Sequence, residues 1–170
     1  MNYIRITKAD TNNGPGIRTV LWVAGCNHHC KECQNPDTWN LSAGQEFTDE
    51  TMKELIASVS RPTCKGITFS GGDPLHPLNK DTVTAIAKFV RENYPNKTIW
   101  CYTGYSYEQI KDLEIMKYLD VLVDGEYVHE LRNITQPYCG SENQRVIDVQ
   151  KTIETGEIVH YWKLEKSRYS

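Results

Sequence analysis

The chain has no excess of positive charge: 19 Lys and Arg stand against 22 Asp and Glu, a formal net charge of −3. Binding along a phosphate backbone draws on a basic excess, so nucleic acid is set aside as a partner. Long hydrophobic runs are missing as well, and no stretch approaches the ~20 apolar residues that cross a bilayer. The opening residues Met1-Asn2-Tyr3-Ile4-Arg5 lack the charged-then-apolar layout of a signal peptide, so the expected compartment is the cytoplasm, with no membrane partner. Internal repeats, low-complexity tracts and Gly/Ser/Pro-rich linkers are absent, and nothing divides the chain. With 39% hydrophobic and 24% charged residues, the composition is neither disordered nor fibrous. A length of 170 residues suits one domain burying ~70% of its unfolded surface. The expectation is a single domain over residues 1–170, with a core at about 13–149 and a C-terminal extension at 150–170.

What the chain does have is six cysteines, unevenly placed. Cys26, Cys30 and Cys33 fall within one short loop, whereas Cys64, Cys101 and Cys139 have no cysteine neighbour. In a reducing cytosol, structural disulfides are disfavoured, which leaves metal binding, redox chemistry or burial.

Apolar runs alternate with helical patterns. Residues 17–24 (IRTVLWVA), 66–70, 98–102 and 120–123 read as strands, and 144–149 as one more. Helices are expected over 48–60, with Thr48 as N-cap, over 79–93, and over 107–116. This alternation describes a parallel sheet with covering helices. Glycine- or cysteine-bearing turns follow the strand ends: Gly25-Cys26, Gly71-Gly72-Asp73, Thr103-Gly104 and Asp124-Gly125. In parallel α/β folds that edge carries the active site, so four motifs are expected to converge there.

The segment Cys26-Asn27-His28-His29-Cys30-Lys31-Glu32-Cys33 sets three thiolates three and then two residues apart. Soft thiolates select zinc, copper(I) or iron-sulfur clusters. Structural zinc needs a fourth ligand, here His28, His29 or a distant cysteine. A cubane cluster takes three cysteines and leaves one iron open. The polar neighbours Asn27, His28, Lys31 and Glu32 suit an accessible loop better than a core.

With this loop after one strand and Gly71-Gly72-Asp73-Pro74 after the next, the chain resembles the radical S-adenosylmethionine enzymes. The resemblance implies a 4Fe-4S cluster on Cys26, Cys30 and Cys33, whose open iron is chelated by the methionine group of S-adenosylmethionine. It implies that Gly71, Gly72 and Asp73 lie against the methionyl amino group, and that Glu32 and Gln34 run past the adenosine. Thr103 and Asp124 are candidates for the sulfonium or ribose side, with an ordinary turn as the other reading of Asp124. No side chain is expected to act as acid, base or nucleophile.

A narrower resemblance rests on Asn13-Gly14-Pro15-Gly16-Ile17-Arg18, Thr38-Trp39, Trp100 with Thr103-Gly104-Tyr105, Leu122-Val123-Asp124-Gly125 and Gly140-Ser141-Glu142-Asn143-Gln144-Arg145. In this order they resemble the activating proteins of anaerobic, class III ribonucleotide reductase. That family implies reductive cleavage of S-adenosylmethionine to methionine and a 5'-deoxyadenosyl radical, which takes hydrogen from a glycine of the large catalytic subunit. A flavodoxin- or ferredoxin-like electron donor is implied too. The implied fold is an α/β incomplete (β/α) barrel of the radical SAM type. Five to six parallel strands fit the length, against eight in a closed barrel of ~250 residues. The alternatives are a pyruvate formate-lyase-type activase, a radical enzyme acting on a small molecule such as 7-carboxy-7-deazaguanine synthase, and a non-catalytic zinc module. Cys64 and Cys101 are expected to pack, Cys139 to be a surface thiol, His76 a turn residue, and the tail over 163–168 solvated.

Overall fold

The computed structural model of the chain describes residues 1–161, so the tail over 163–168 lies outside the described residues. One sheet of seven strands organises the molecule: β1 (Asn2–Asp10), β2 (Arg18–Val23), β3 (Gln45–Glu46), β4 (Gly66–Gly71), β5 (Thr98–Tyr102), β6 (Val121–Asp124) and β7 (Arg145–Asp148), in the order β3-β1-β2-β4-β5-β6-β7. Strands β2, β4, β5 and β6 run parallel. β1 joins β2 antiparallel, β3 joins β1 antiparallel, and β7 joins β6 antiparallel. The parallel run is therefore four strands long, short of the expected five to six. The segment at 144–149 does form a strand, but it returns along β6 instead of crossing over.

The helices are α1 (Asp49–Val59), α2 (Lys80–Asn93), α3 (Tyr107–Ile110) and α4 (Val149–Thr155). Thr48 caps α1 reciprocally with Thr51: the Thr51 amide donates to Thr48 Oγ1 at 3.3 Å and the Thr48 amide to Thr51 Oγ1 at 3.1 Å. α3 is one turn long, followed by a 3₁₀ turn over Glu114–Lys117, so the helix expected over 107–116 is broken at its middle. α4 starts directly from β7, with Asp148 capping it, which binds the start of the expected C-terminal extension into the domain.

Alternate residues of the strands point to two different layers. Leu21, Val23, Ile67, Phe69, Ile99, Cys101, Leu122 and Ile147 pack against Leu55 and Val59 of α1 and Val83, Ile86, Ala87 and Val90 of α2. On the opposite face, Trp100, Val121, Val123 and Val146 gather around Cys139. Cys64 and Cys101 are buried as expected; Cys139 is buried too, in place of the expected surface thiol. β1 was not expected, and it carries the sheet up to Asn2. Only Tyr3 in it is buried, because it lies near the sheet edge with Arg5, Lys8 and Asp10 among its residues. Among the described residues, no helix is long and apolar enough to cross a membrane.

At the start of β2, away from the cysteine-bearing end, Arg18 is fully buried. Its guanidinium donates to Thr68 Oγ1 at 2.9 Å, Thr98 Oγ1 at 2.7 Å, Ile67 O at 2.9 Å and Thr98 O at 3.0 Å. None of these partners is a carboxylate, and burial lowers its pKa to about 10, still charged at neutral pH. One side chain thus ties three parallel strands through the fork geometry that lysine lacks. At the other margin, Arg145 of β7 clasps Asp124 of β6 at 2.5 Å and Glu108 of α3 at 2.8 Å.

Arg18→Lys should lower stability by about 2–4 kcal/mol, since carbonyls and hydroxyls lose their donors inside the core. An unchanged urea midpoint would contradict this. The hydrogen bond from Arg145 depresses the Glu108 pKa from 4.5 to about 2, so the pair stabilises the fold above pH 4.5 and ceases to as the pH falls towards 2. Being exposed, it contributes little. The thermal midpoint of Glu108→Gln should lie slightly below wild type at neutral pH and converge with it through that window; a constant gap would count against the ion pair.

Candidate functional site

Because β2, β4, β5 and β6 are parallel, their C-terminal ends share one edge, and the loops that leave them meet there. The four expected motifs do converge. Cys26, Cys30, Cys33 and Gln34 from the loop after β2, Gly71, Gly72 and Asp73 after β4, Thr103 and Gly104 after β5, and Gly125 after β6 all line one cavity of about 630 Å³. Asp124 and Glu32 are not among its lining residues. Asp124 is buried, with its oxygens engaged by Arg145 and by the Tyr107 amide at 2.8 Å. Glu32 is exposed.

Close approach of backbones requires the Gly-Gly pair. A Cβ at Gly71 would sit 2.5 Å from Val23 O, and one at Gly72 2.4 Å from Gly25 O. The β4 loop can therefore press against the β2 loop, with the Asp73 amide donating to Gly25 O at 2.7 Å. Asp73 itself is 1% exposed. Its oxygens accept from the Leu75 amide at 2.9 Å, Thr103 Oγ1 at 2.9 and 3.0 Å, the Gly104 amide at 2.9 Å and His28 Nε2 at 2.6 Å. Asn79 Nδ2 donates to the Asp73 and Ala24 carbonyls, which fastens α2 to the same corner.

The same histidine ties the cysteine loop to the loop after β6. His28 Nδ1 lies 2.8 Å from Glu126 Oε1, so each ring nitrogen faces a carboxylate oxygen. The hydrogen bond to Asp73 raises the His28 pKa above its ordinary value, Glu126 adds to this, and burial opposes it. His29 stacks on Trp39 at 4.5 Å. Both ring nitrogens of His28 are thus committed to carboxylates, which removes one of the two imidazoles nearest to hand as a fourth ligand for a zinc site. Among the described residues, no three His, Cys, Asp or Glu side chains are gathered to hold a single metal ion.

The donor set nevertheless suits an iron-sulfur cluster. All three cysteines are free, partly accessible thiols on one cavity wall. Burial pushes the Cys26 thiol up to about 11 and raises that of Cys30, so a thiophilic centre displaces protons as it binds. His29 and Glu32 have left-handed backbones, φ 49° and 57°, a strained conformation of the kind found in functional loops. Trp39 Nε1, a buried donor without a partner, belongs to a residue lining the cavity. The roles of His28 and Glu126 escape sequence reasoning, since they lie 98 residues apart in the chain.

A family model described as a 4Fe-4S single cluster domain matches residues 12–147. The anaerobic ribonucleoside-triphosphate reductase-activating protein of Enterobacteria phage T4 is 46% identical over 146 residues, spanning 86% of this chain and 93% of that protein. The protein of the same name from Vibrio cholerae is 40% identical over 148 residues, 85% of this chain and 96% of its own. That of Escherichia coli K12 is 37% identical over 150 residues, 86% and 97% respectively. With matches of this extent, the chain belongs to the family of anaerobic ribonucleoside-triphosphate reductase-activating proteins.

Proposed function

We propose that the chain activates anaerobic ribonucleotide reductase as a radical S-adenosylmethionine enzyme, with Cys26, Cys30 and Cys33 holding a 4Fe-4S cluster. The observation that carries this reading is the meeting of those three cysteines with the Gly71-Gly72-Asp73 loop and Thr103 around one cavity. When bound, the cluster and S-adenosylmethionine supply reductive cleavage to methionine and a 5'-deoxyadenosyl radical, which takes hydrogen from a glycine of the large reductase subunit.

The chain's own residues bind, orient and exclude water. A cavity of about 630 Å³ is of a size to take such a ligand. Gly71 and Gly72 keep the β4 loop close to β2, where its backbone and Asp73 suit an ammonium group. Thr103 and the Gly104 amide fix the carboxylate so that it need not reorganise when the ligand arrives. Gln34 offers a polar contact on the cavity wall. Asp124 and Glu32 are given no ligand contact here; Asp124 instead braces β6 against β7.

The fold is read as an incomplete barrel of the radical SAM type, the separate edges β3 and β7 leaving it open. The rim fits a protein substrate: Ile134, a cavity-lining residue, is 91% exposed. An electron donor of the flavodoxin or ferredoxin kind and a cytoplasmic setting complete the reading, in keeping with cysteines that are all unpaired.

Anaerobically reconstituted wild-type protein, chemically reduced, should release 5'-deoxyadenosine and methionine from S-adenosylmethionine. Cys26→Ala, Cys30→Ala and Cys33→Ala should each lose iron and fall to background while keeping the wild-type circular dichroism. Retained cleavage in any of them would overturn the ligand assignment.

A further inference from the structure

Between two of the cysteines, the His28 side chain crosses the site edge into a socket made by three other loops. Nε2 reaches Asp73 after β4 at 2.6 Å, and Nδ1 reaches Glu126 after β6 at 2.8 Å. Tyr105, after β5, meets the ring edge-on at 4.7 Å. Gly104 forms the floor: a Cβ there would lie 2.4 Å from Cδ2 and 2.6 Å from Nε2 of the ring, so a side chain at that position excludes the imidazole. About a tenth of the His28 side chain remains exposed, at 10%. Hydrogen bonds to carboxylates are roughly twice as strong as neutral ones, and two of them meet on this ring.

The loop needs such an anchor. Its left-handed residues His29 and Glu32 hold an unfavourable backbone. Few backbone bonds hold it: the Cys26 amide donates to Trp39 O at 3.1 Å and the Cys33 amide to Cys30 O at 3.1 Å.

We propose that His28 is a positioning residue for the metal-binding loop. Seated among Asp73, Gly104, Tyr105 and Glu126, it fixes residues 26–33 against the strand-end edge before any metal centre is bound, so that the three thiols already share one cavity. This rests on the proposed function only in taking Cys26, Cys30 and Cys33 as ligands.

The test is hydrogen exchange, read by mass spectrometry, on the full-length metal-free chain under anaerobic reducing conditions. In His28→Ala, the hydrogen-bonded amides of Cys26, Cys33 and Asn35 should exchange about tenfold faster or more, as expected for losing charge-assisted hydrogen bonds, while β4 and β5 keep wild-type rates. Gly104→Ala, which leaves the histidine in the chain but fills its seat, should reproduce this. The double variant should be no faster than either single one, because both remove the same contact. Glu126→Gln alters only the exposed outer contact and leaves the core intact; its loop should exchange at an intermediate rate. Iron uptake during reconstitution should fall in the same order. Wild-type loop exchange in His28→Ala, or in Glu126→Gln should His28→Ala not fold, would overturn the proposal; so would additive effects in the double variant. A wild-type chain that binds no iron would instead sink the proposed function and leave the exchange result standing.

Discussion

Asp73 is a carboxylate shut away from water, and its oxygens have to find their hydrogen bonds within the protein. Donors come from its own loop through Leu75, from the β5 loop through Thr103 and Gly104, and from the cysteine loop through His28. Its main chain is committed as well, with the amide on Gly25 O and the carbonyl taking Asn79 Nδ2. Loops that share no sequence neighbourhood are thereby drawn to one point. The acid of the Gly-Gly loop is thus the knot of the site edge.

The sheet makes that knot possible. Parallel pairing of β2, β4, β5 and β6 delivers four loops to one edge, and burial of the Arg18 guanidinium under the opposite end ties three of those strands by hydrogen bonds to Thr68, Ile67 and Thr98. Period-two alternation then separates two layers. Aliphatic residues meet α1 and α2 on one face, while Trp100, Val121, Val123 and Val146 close over Cys139 on the other. The cavity also reaches Trp22, Tyr102 and Tyr138, so the loop edge and the second face form one continuous wall. Rigidity lies in the sheet, and chemistry lies in loops hung from it.

The strands with dense β-branched and aromatic runs, β2, β4, β5 and β6, were legible in the sequence to within a residue or so, as were the helices α1 and α2. Their polar termini also told which loops would meet. β1 was hidden because a half-exposed strand carrying Arg5, Lys8 and Asp10 has little apolar contrast to read. The return of β7 along β6 cannot be seen from the six residues 144–149, since direction depends on the partner strand. Side-chain partnerships were the least legible. His28 finds Asp73 45 residues away and Glu126 98 residues away, and Arg145 finds Asp124 across 21 residues. Local pattern carries no trace of such pairs, so His28 could be weighed only as a metal ligand and Asp124 only as a ligand contact or a turn residue.

The radical chemistry proposed for this cavity, with another protein's glycine as its target, is open to direct measurement. Its most direct measurement is electron paramagnetic resonance on the reduced, reconstituted chain incubated with S-adenosylmethionine and the large subunit of anaerobic ribonucleotide reductase. A glycyl radical doublet on the reductase that depends on all three components is the expected result. No radical on that subunit, or a radical formed on pyruvate formate-lyase alone, would contradict it.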